Sequence, residues 1–294
     1  QLTSVYSIRT LVHQRWFVVV LALILTGLGA ALTGVLFKTG IHTLDDWRLD
    51  LLKTLPAWLI LPLLGGCGGL ISGTIIAKFA PAAGGSGVTQ VIKYLRHKDV
   101  PMGLRVGIGK LIAGIIAIGS GFPLGPEGPA VQMAGSVAWK MAQWLKAPIA
   151  FRRVIVAAGS GAGIAAIFSA PIGGFIYAIE ELLNSSKPVI LLLVIVTTFW
   201  ADAWADILQG QGFNLDVDFP LKINVLPVDF FYLIILGIFV GVLAQLYSQY
   251  VLMMQRIGNK WFKEKIVHRM TISGVILGII FSLLPKEFHH VGEL

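Results

Sequence analysis

Gly125-Pro126-Glu127-Gly128-Pro129 sets one carboxylate among glycines and prolines, between two long segments that carry no charge. Nothing ionisable lies between Lys110 and Glu127, or between Glu127 and Lys140. A charge at membrane depth costs several kcal/mol, so an acid there marks a functional position. Gly and Pro break a helix and expose backbone N–H groups, which lipid tolerates only where they line a cavity. The stretch therefore reads as the apex of a re-entrant element on an ion pathway.

The rest of the 294-residue chain supports a membrane setting. It is 56% hydrophobic and 13% charged, with a mean hydropathy of +0.81. Those values exclude a soluble globular domain. Thirty-four glycines suit closely packed or broken membrane helices. Cys67 is the single cysteine, so neither an internal disulfide framework nor a cysteine-based zinc site is expected. The net charge of +8 sits in loops between apolar runs, which argues for membrane topology rather than nucleic-acid binding. Phe17–Phe37 is too long and apolar for a signal-peptide core.

Uncharged runs cover residues 17–37, 54–77, 111–126, 154–179, 188–201, 230–255 and 270–285. The intervening loops alternate in sign. Residues 93–110 hold Lys93, Arg96, Lys98, Arg105 and Lys110 against Asp99, for +4, and Lys140, Lys146, Arg152 and Arg153 give 140–153 the same value. Residues 256–269 return to +4, whereas Asp202, Asp206, Asp216, Asp218 and Asp229 against Lys222 leave 202–229 at −4. The positive-inside rule then puts the N-terminus, 93–110, 140–153 and 256–269 in the cytoplasm. Residues 38–53, with zero net charge, and 202–229 are expected as outside loops. Because both flanks of 111–139 and of 154–180 face the cytoplasm, each must enter and return, turning at Gly125–Pro129 and at Phe168-Ser169-Ala170-Pro171. The expected fold is an all-α polytopic membrane protein with broken, re-entrant helices.

Three helix N-termini carry candidate chemistry. In Gly84-Gly85-Ser86-Gly87-Val88, ahead of an amphipathic helix over 89–97, the Ser86 hydroxyl and the N–H groups of Gly87 and Val88 can hold an anion. A helix N-terminus offers about half a positive charge, which suits moderate anion binding. Glu127 stabilises the dipole of the helix over 128–144, yet the same N–H groups, Gly128 included, also favour a mobile anion. Glu127 then acts as a tethered anion on a site that mobile anions want, and protonation releases it. The Gly159-Ser160-Gly161-Ala162-Gly163 run reads as a helix-packing surface, without the βαβ setting of a dinucleotide site. Glu180-Glu181 ends a helix against its dipole, so the pair is either interfacial solvation or a cytoplasmic proton entry.

These motifs resemble the CLC family of chloride channels and proton-coupled chloride transporters. Gly85-Ser86-Gly87-Val88 looks like the family's GSGIP loop and Gly125–Pro129, continued by Ala130-Val131-Gln132-Met133-Ala134-Gly135, like its GREGP loop. Residues 166–174 followed by Ile179-Glu180-Glu181 look like its apolar Ala-Pro segment ending in two glutamates. The resemblance spans about residues 15–285. It implies a homodimer with one pore per subunit, each subunit built of two inverted halves, about 11–187 and 227–294 here. It implies Ser86 in the central anion site, Glu127 as gating glutamate, and Glu181 as internal proton-transfer glutamate with Glu180 structural. The family's plain channels usually lack that second acid, so chloride/proton exchange is expected over a passive voltage- or pH-gated channel. Pro126 replaces the usual arginine, Thr89 the proline of GSGIP and Gln90 the acid often found next, which bears on anion choice. The later pore motifs of the second half are absent, so a fragment of a longer protein is expected.

Chloride, protons, the lipid bilayer and a second copy are thus the expected partners, with no nucleic acid and no cofactor. The expected location is a bacterial inner (plasma) membrane with a cytoplasmic N-terminus, and Pro188–Trp200 is a candidate dimer face. An enzyme is disfavoured: His13, His42, His97, His268, His289 and His290 form no metal motif within a span, and no Ser/His/Asp set falls at membrane depth.

Overall fold

The computed structural model describes residues 2–185, 187–209, 227–262 and 265–285, with side chains from Trp16 onward. Asp216, Asp218, Lys222, Glu264 and the His289-His290 pair lie outside the described residues. Among the described residues, ten α-helices follow in order: α1 Leu2–Thr54, α2 Ala57–Thr74, α3 Val88–Leu95, α4 Leu104–Gly119, α5 Glu127–Trp144, α6 Ile149–Phe168, α7 Pro171–Tyr177, α8 Pro188–Gln209, α9 Pro227–Phe262 and α10 Ile266–Leu283. Among the described residues there is no strand. Six helical stretches among the described residues are long and apolar enough to cross a membrane, beginning at Trp16, Ala57, Ile149, Pro188, Val228 and Ile266.

One expectation fails at the first span. Residues 38–53 are not a loop but the continuation of α1. Their charges are spaced for a helix: Arg48 pairs with Asp45 at 2.5 Å and Lys53 with Asp50 at 2.8 Å, both three residues apart. From Trp16 to Thr54 the helix runs 39 residues. At 1.5 Å per residue that is about 58 Å, well beyond the ~30 Å of hydrocarbon. The charged end therefore projects past the apolar part. Arg48 is nonetheless 3% exposed, because its guanidinium lies against Gly121 (φ 105°) in the loop before α5.

The two re-entrant pairs form as expected. α4 and α5 are joined by 120–126, with Glu127 as the first residue of α5 rather than the residue before it. α6 ends at Phe168, Ser169 takes a left-handed φ of 49°, and Pro171 opens α7. Proline suits that first position, where no N–H is needed. The chain then widens into a π-turn over Ala178–Leu183, and another extends α2 over Ile75–Phe79.

Small residues set the packing. A Cβ on Gly163 would meet the Ala130 carbonyl oxygen and one on Gly161 that of Gly174, both at 2.5 Å, so α6 lies backbone to backbone against α5 and α7. The 159–163 run is thus a packing surface. A second seam joins α2 to α10. Gly65 opposes Gly274, Gly69 the Met270 carbonyl, Gly73 the Val267 Cα, and Gly278 the Leu61–Pro62 backbone. Gly65, Gly69 and Gly73 stand four residues apart, on one helix face. Ser72 adds a hydrogen bond from its hydroxyl to the Ala113 carbonyl of α4, at 3.0 Å.

On α8, Trp200 turns toward α1 and donates its indole N–H to the Ile24 carbonyl at 3.2 Å. Val194, Thr197, Thr198 and Ala201 are buried beside it, while Val189, Leu192, Val196 and Phe199 face outward. Trp200 is held to α1 by its indole bond yet remains 38% exposed.

Gly274→Ala in the α2–α10 seam is expected to cost about 1–3 kcal/mol, because helix backbones must separate to admit one methyl group. Gly237→Ala on α9, where nothing lies within 4 Å of the added Cβ among the described residues, leaves stability unchanged. Thermal unfolding of the two variants in detergent, followed by size-exclusion fluorescence, checks the contrast.

Candidate functional site

Glycine decides the geometry at the centre. Gly85 and Gly87 adopt φ of 85° and 103°, a region that side chains rarely enter. They turn the chain sharply out of the short 3-10 turn Pro81–Ala83 and into α3, whose N-cap is Gly87. A Cβ on Gly87 would overlap the Gly128 carbonyl oxygen, and one on Gly128 would overlap the Ser86 carbonyl oxygen. The Gly84–Val88 loop and the Gly125–Pro129 loop therefore touch backbone to backbone. Ser86, Gly87, Val88, Glu127 and Gly128, chosen from two separate stretches of sequence, come together at one place. Ser86 and Glu127 are both exposed there.

Two helix N-termini meet at this contact. At α5 the N-cap is Pro126, whose side chain cannot cap, and its carbonyl accepts the first helical bond from the Ala130 N–H at 2.9 Å. Pro129 contributes no N–H, so the first turn offers those of Glu127 and Gly128. The Glu127 carboxylate curls back over Gly125, in the space where a Cβ on Gly125 would sit. A negative group thus lies beside the positive end of α5, the arrangement the dipole favours.

At α3 the capping differs from the usual hydroxyl. Gln90 reaches back to the N-cap, and its Oε1 accepts the Gly87 N–H at 3.0 Å and the Thr89 hydroxyl at 2.8 Å. That is the returning half of a capping box. The N–H groups of Val88 and Thr89 follow in the first turn.

The loop is stapled from behind by residues that the motif reading missed. Lys110 on α4 is 7% exposed and donates to the carbonyls of Ala83, at 3.1 Å, and Gly85, at 2.5 Å. Gln132 on α5 is fully buried and donates to the Ala82 carbonyl at 2.8 Å. Their signal in the sequence is a cation and an amide set inside otherwise apolar, Gly-rich stretches of α4 and α5.

Glu180 and Glu181 stand on the π-turn Ala178–Leu183, both exposed. The turn packs against α3 and α6, with Ile179 and Leu183 in the same apolar cluster as Val88 and Ile92. α3 therefore bridges the two regions, its N-terminus at the loop contact and its apolar face on the turn that carries Glu181. π-Turns recur at functional sites, and nothing in the helical pattern of 171–183 announces one.

Comparisons with known proteins agree with this architecture. The sequence pattern described as "Voltage gated chloride channel" matches residues 68–293. A relative named H(+)/Cl(-) exchange transporter ClcA, from Vibrio cholerae serotype O1, is 29% identical over 279 residues, which is 91% of this chain and 58% of that protein. A protein of the same name from Cronobacter sakazakii is 30% identical over 245 residues, 79% of this chain and 51% of its own length. The chain thus spans a little over half the length of the curated relatives it matches. Among solved structures, a slow cyanobacterial Cl-/H+ antiporter superposes with a TM-score of 0.79 at 28% identity, covering 91% of this chain and 64% of the other. A CLC-type fluoride/proton antiporter shares the fold, with a TM-score of 0.75 at 23% identity, covering 90% of this chain and 65% of the other. With its broken helix pairs, its two meeting glycine loops and a family match over most of its length, this chain belongs to the CLC family of voltage gated chloride channels.

Proposed function

We propose that the protein containing this chain exchanges chloride for protons across a membrane, with Glu127 as the gate. The observation that carries the reading is the backbone contact between the Ser86 and Glu127 loops. It brings the N-termini of α3 and α5 together, with the exposed residues Ser86 and Glu127 on the two touching loops. Backbone N–H groups bind an anion without a full positive charge, so the ion is held and still leaves. The Glu127 carboxylate competes for the same partial charges, and protonation removes its claim. Ser86, Val88 and Gly128 are the proposed anion-binding residues, while Gly87, whose N–H is held by Gln90 Oε1, shapes the turn between them.

Protons take a separate entrance in this reading, at Glu181 on the π-turn, with Glu180 beside it as a structural partner. Exchangers among the relatives favour coupled transport over a passive channel, and Glu181 is the residue that separates the two. The chain is read as two inverted halves, about 11–187 and 227–294. The cation-rich loops favour a cytoplasmic N-terminus, and the bacterial relatives favour an inner (plasma) membrane. The outward stripe Val189, Leu192, Val196 and Phe199 on α8 is the proposed contact with a second copy.

In liposomes carrying the full-length protein, with chloride and pH recorded together, Glu127→Ala is expected to conduct chloride with no coupled proton movement. Coupling at the wild-type ratio would reject the gate. Glu181→Gln is expected to lower proton movement by about a hundredfold, the usual loss on removing a proton-transfer group, while chloride flux persists. Chloride-driven proton uptake that survives this change would leave Glu181 without its role and favour the channel. On α8, Val196→Trp is expected to shift the detergent-solubilised protein from dimer to monomer in light scattering.

A further inference from the structure

Four consecutive carbonyls lead up to Ser86, and each receives an N–H from a side chain. Gln132 serves Ala82, Lys110 serves Ala83 and Gly85, and Gln90 serves Gly84, the last through its Nε2 at 2.5 Å. The three donors come from α5, α4 and α3, so the loop is pinned from three helices at once. A Gly-rich loop has no side chains of its own to hold its peptide planes. If one plane flipped, a carbonyl oxygen would replace an N–H, and its partial negative charge repels an anion. A donor on every carbonyl opposes that flip, because breaking it would leave a buried polar group unpaired.

We propose that Lys110, Gln132 and Gln90 form a carbonyl clamp that positions the 82–87 loop for anion binding, and that Gln90 is its affinity-determining member. The proposal rests on the reading of the Ser86 loop as the anion site. Gln90 plays two roles with one neutral group: Oε1 accepts from Gly87 and Thr89, while Nε2 donates to Gly84. An ionised carboxylate at this position would keep the first role and lose the second. It would also bring a negative charge to the first turn of the helix whose positive end the anion needs. Gln90 therefore caps α3 without discharging its N-terminus. All three are positioning residues, acting on the anion through the loop.

Isothermal titration of the full-length protein with sodium chloride tests this. Gln90→Glu is expected to raise the chloride Kd about tenfold or more, the scale of a lost hydrogen bond combined with an added like charge. Gln90→Met should raise it less, since only hydrogen bonds are lost. Lys110→Met is expected to weaken binding as well, and Lys110→Arg, which keeps charge and donors, to restore it. A purely structural role would instead reduce the number of binding sites and leave Kd unchanged. That result, or a wild-type Kd in Gln90→Glu, overturns the clamp while the anion site stands. Absence of chloride binding by the wild type would overturn the anion site and the clamp together. If Lys110→Met does not fold, the two Gln90 variants, on a partly exposed position, decide.

Discussion

The contact between Gly87 and Gly128 is the constraint on which the rest depends. Two loops that each break a helix inside a membrane protein expose N–H and C=O groups that lipid cannot satisfy. Bringing the loops against each other removes both from lipid, but only if nothing beyond a hydrogen projects from either Cα. From that contact follow the convergence of α3 and α5, and the presence of exposed Ser86 and Glu127 on the two touching loops. The buried amide and ammonium groups behind the loop follow too, since its carbonyl oxygens need donors once they are withdrawn from water. Packing and chemistry share one cause here: the close approach that shields the backbone also concentrates partial positive charge.

Much of this was legible in the sequence, and for identifiable reasons. Glu127 stands alone between two long uncharged segments, so its flanking Gly and Pro could only be a turn, and the sign of the loop charges fixed which segments must return. Ser169-Ala170-Pro171 announced the second break for the same reason. The helical continuation through 38–54 was not legible, because charged residues after an apolar run look like a loop when counted by sign. Their spacing of three, Asp45 to Arg48 and Asp50 to Lys53, was the overlooked sign of a helix. The π-turn under Glu181 leaves no trace in composition. Nor does the partnership of Lys110 with Ala83 and Gly85, since side chains seeking backbone carbonyls impose no pattern on the residues they bind.

The site also shows how the chain handles charge without solvent. The loop contact presents helix dipoles, and full charges are placed behind or beside them. Lys110 is spent on carbonyls and Arg48 on Asp45 and the Gly121 turn. In the proposed reading, a bare cation at the loop contact would hold an anion too firmly for rapid release. Pro126, where an arginine is common in the family, fits the same economy, because it leaves the α5 terminus and Glu127 to set the local potential.

The glycine seam between α2 and α10 reaches beyond packing, into how the protein is made. Its two faces are about 200 positions apart along the chain, so α2 enters the bilayer long before its partner exists. Until α10 is synthesised, Gly65, Gly69 and Gly73 have no α10 backbone to pack against. Closing the seam makes a contact of long sequence separation, so it has to come late, after the loop-closing entropy of the intervening chain has been met.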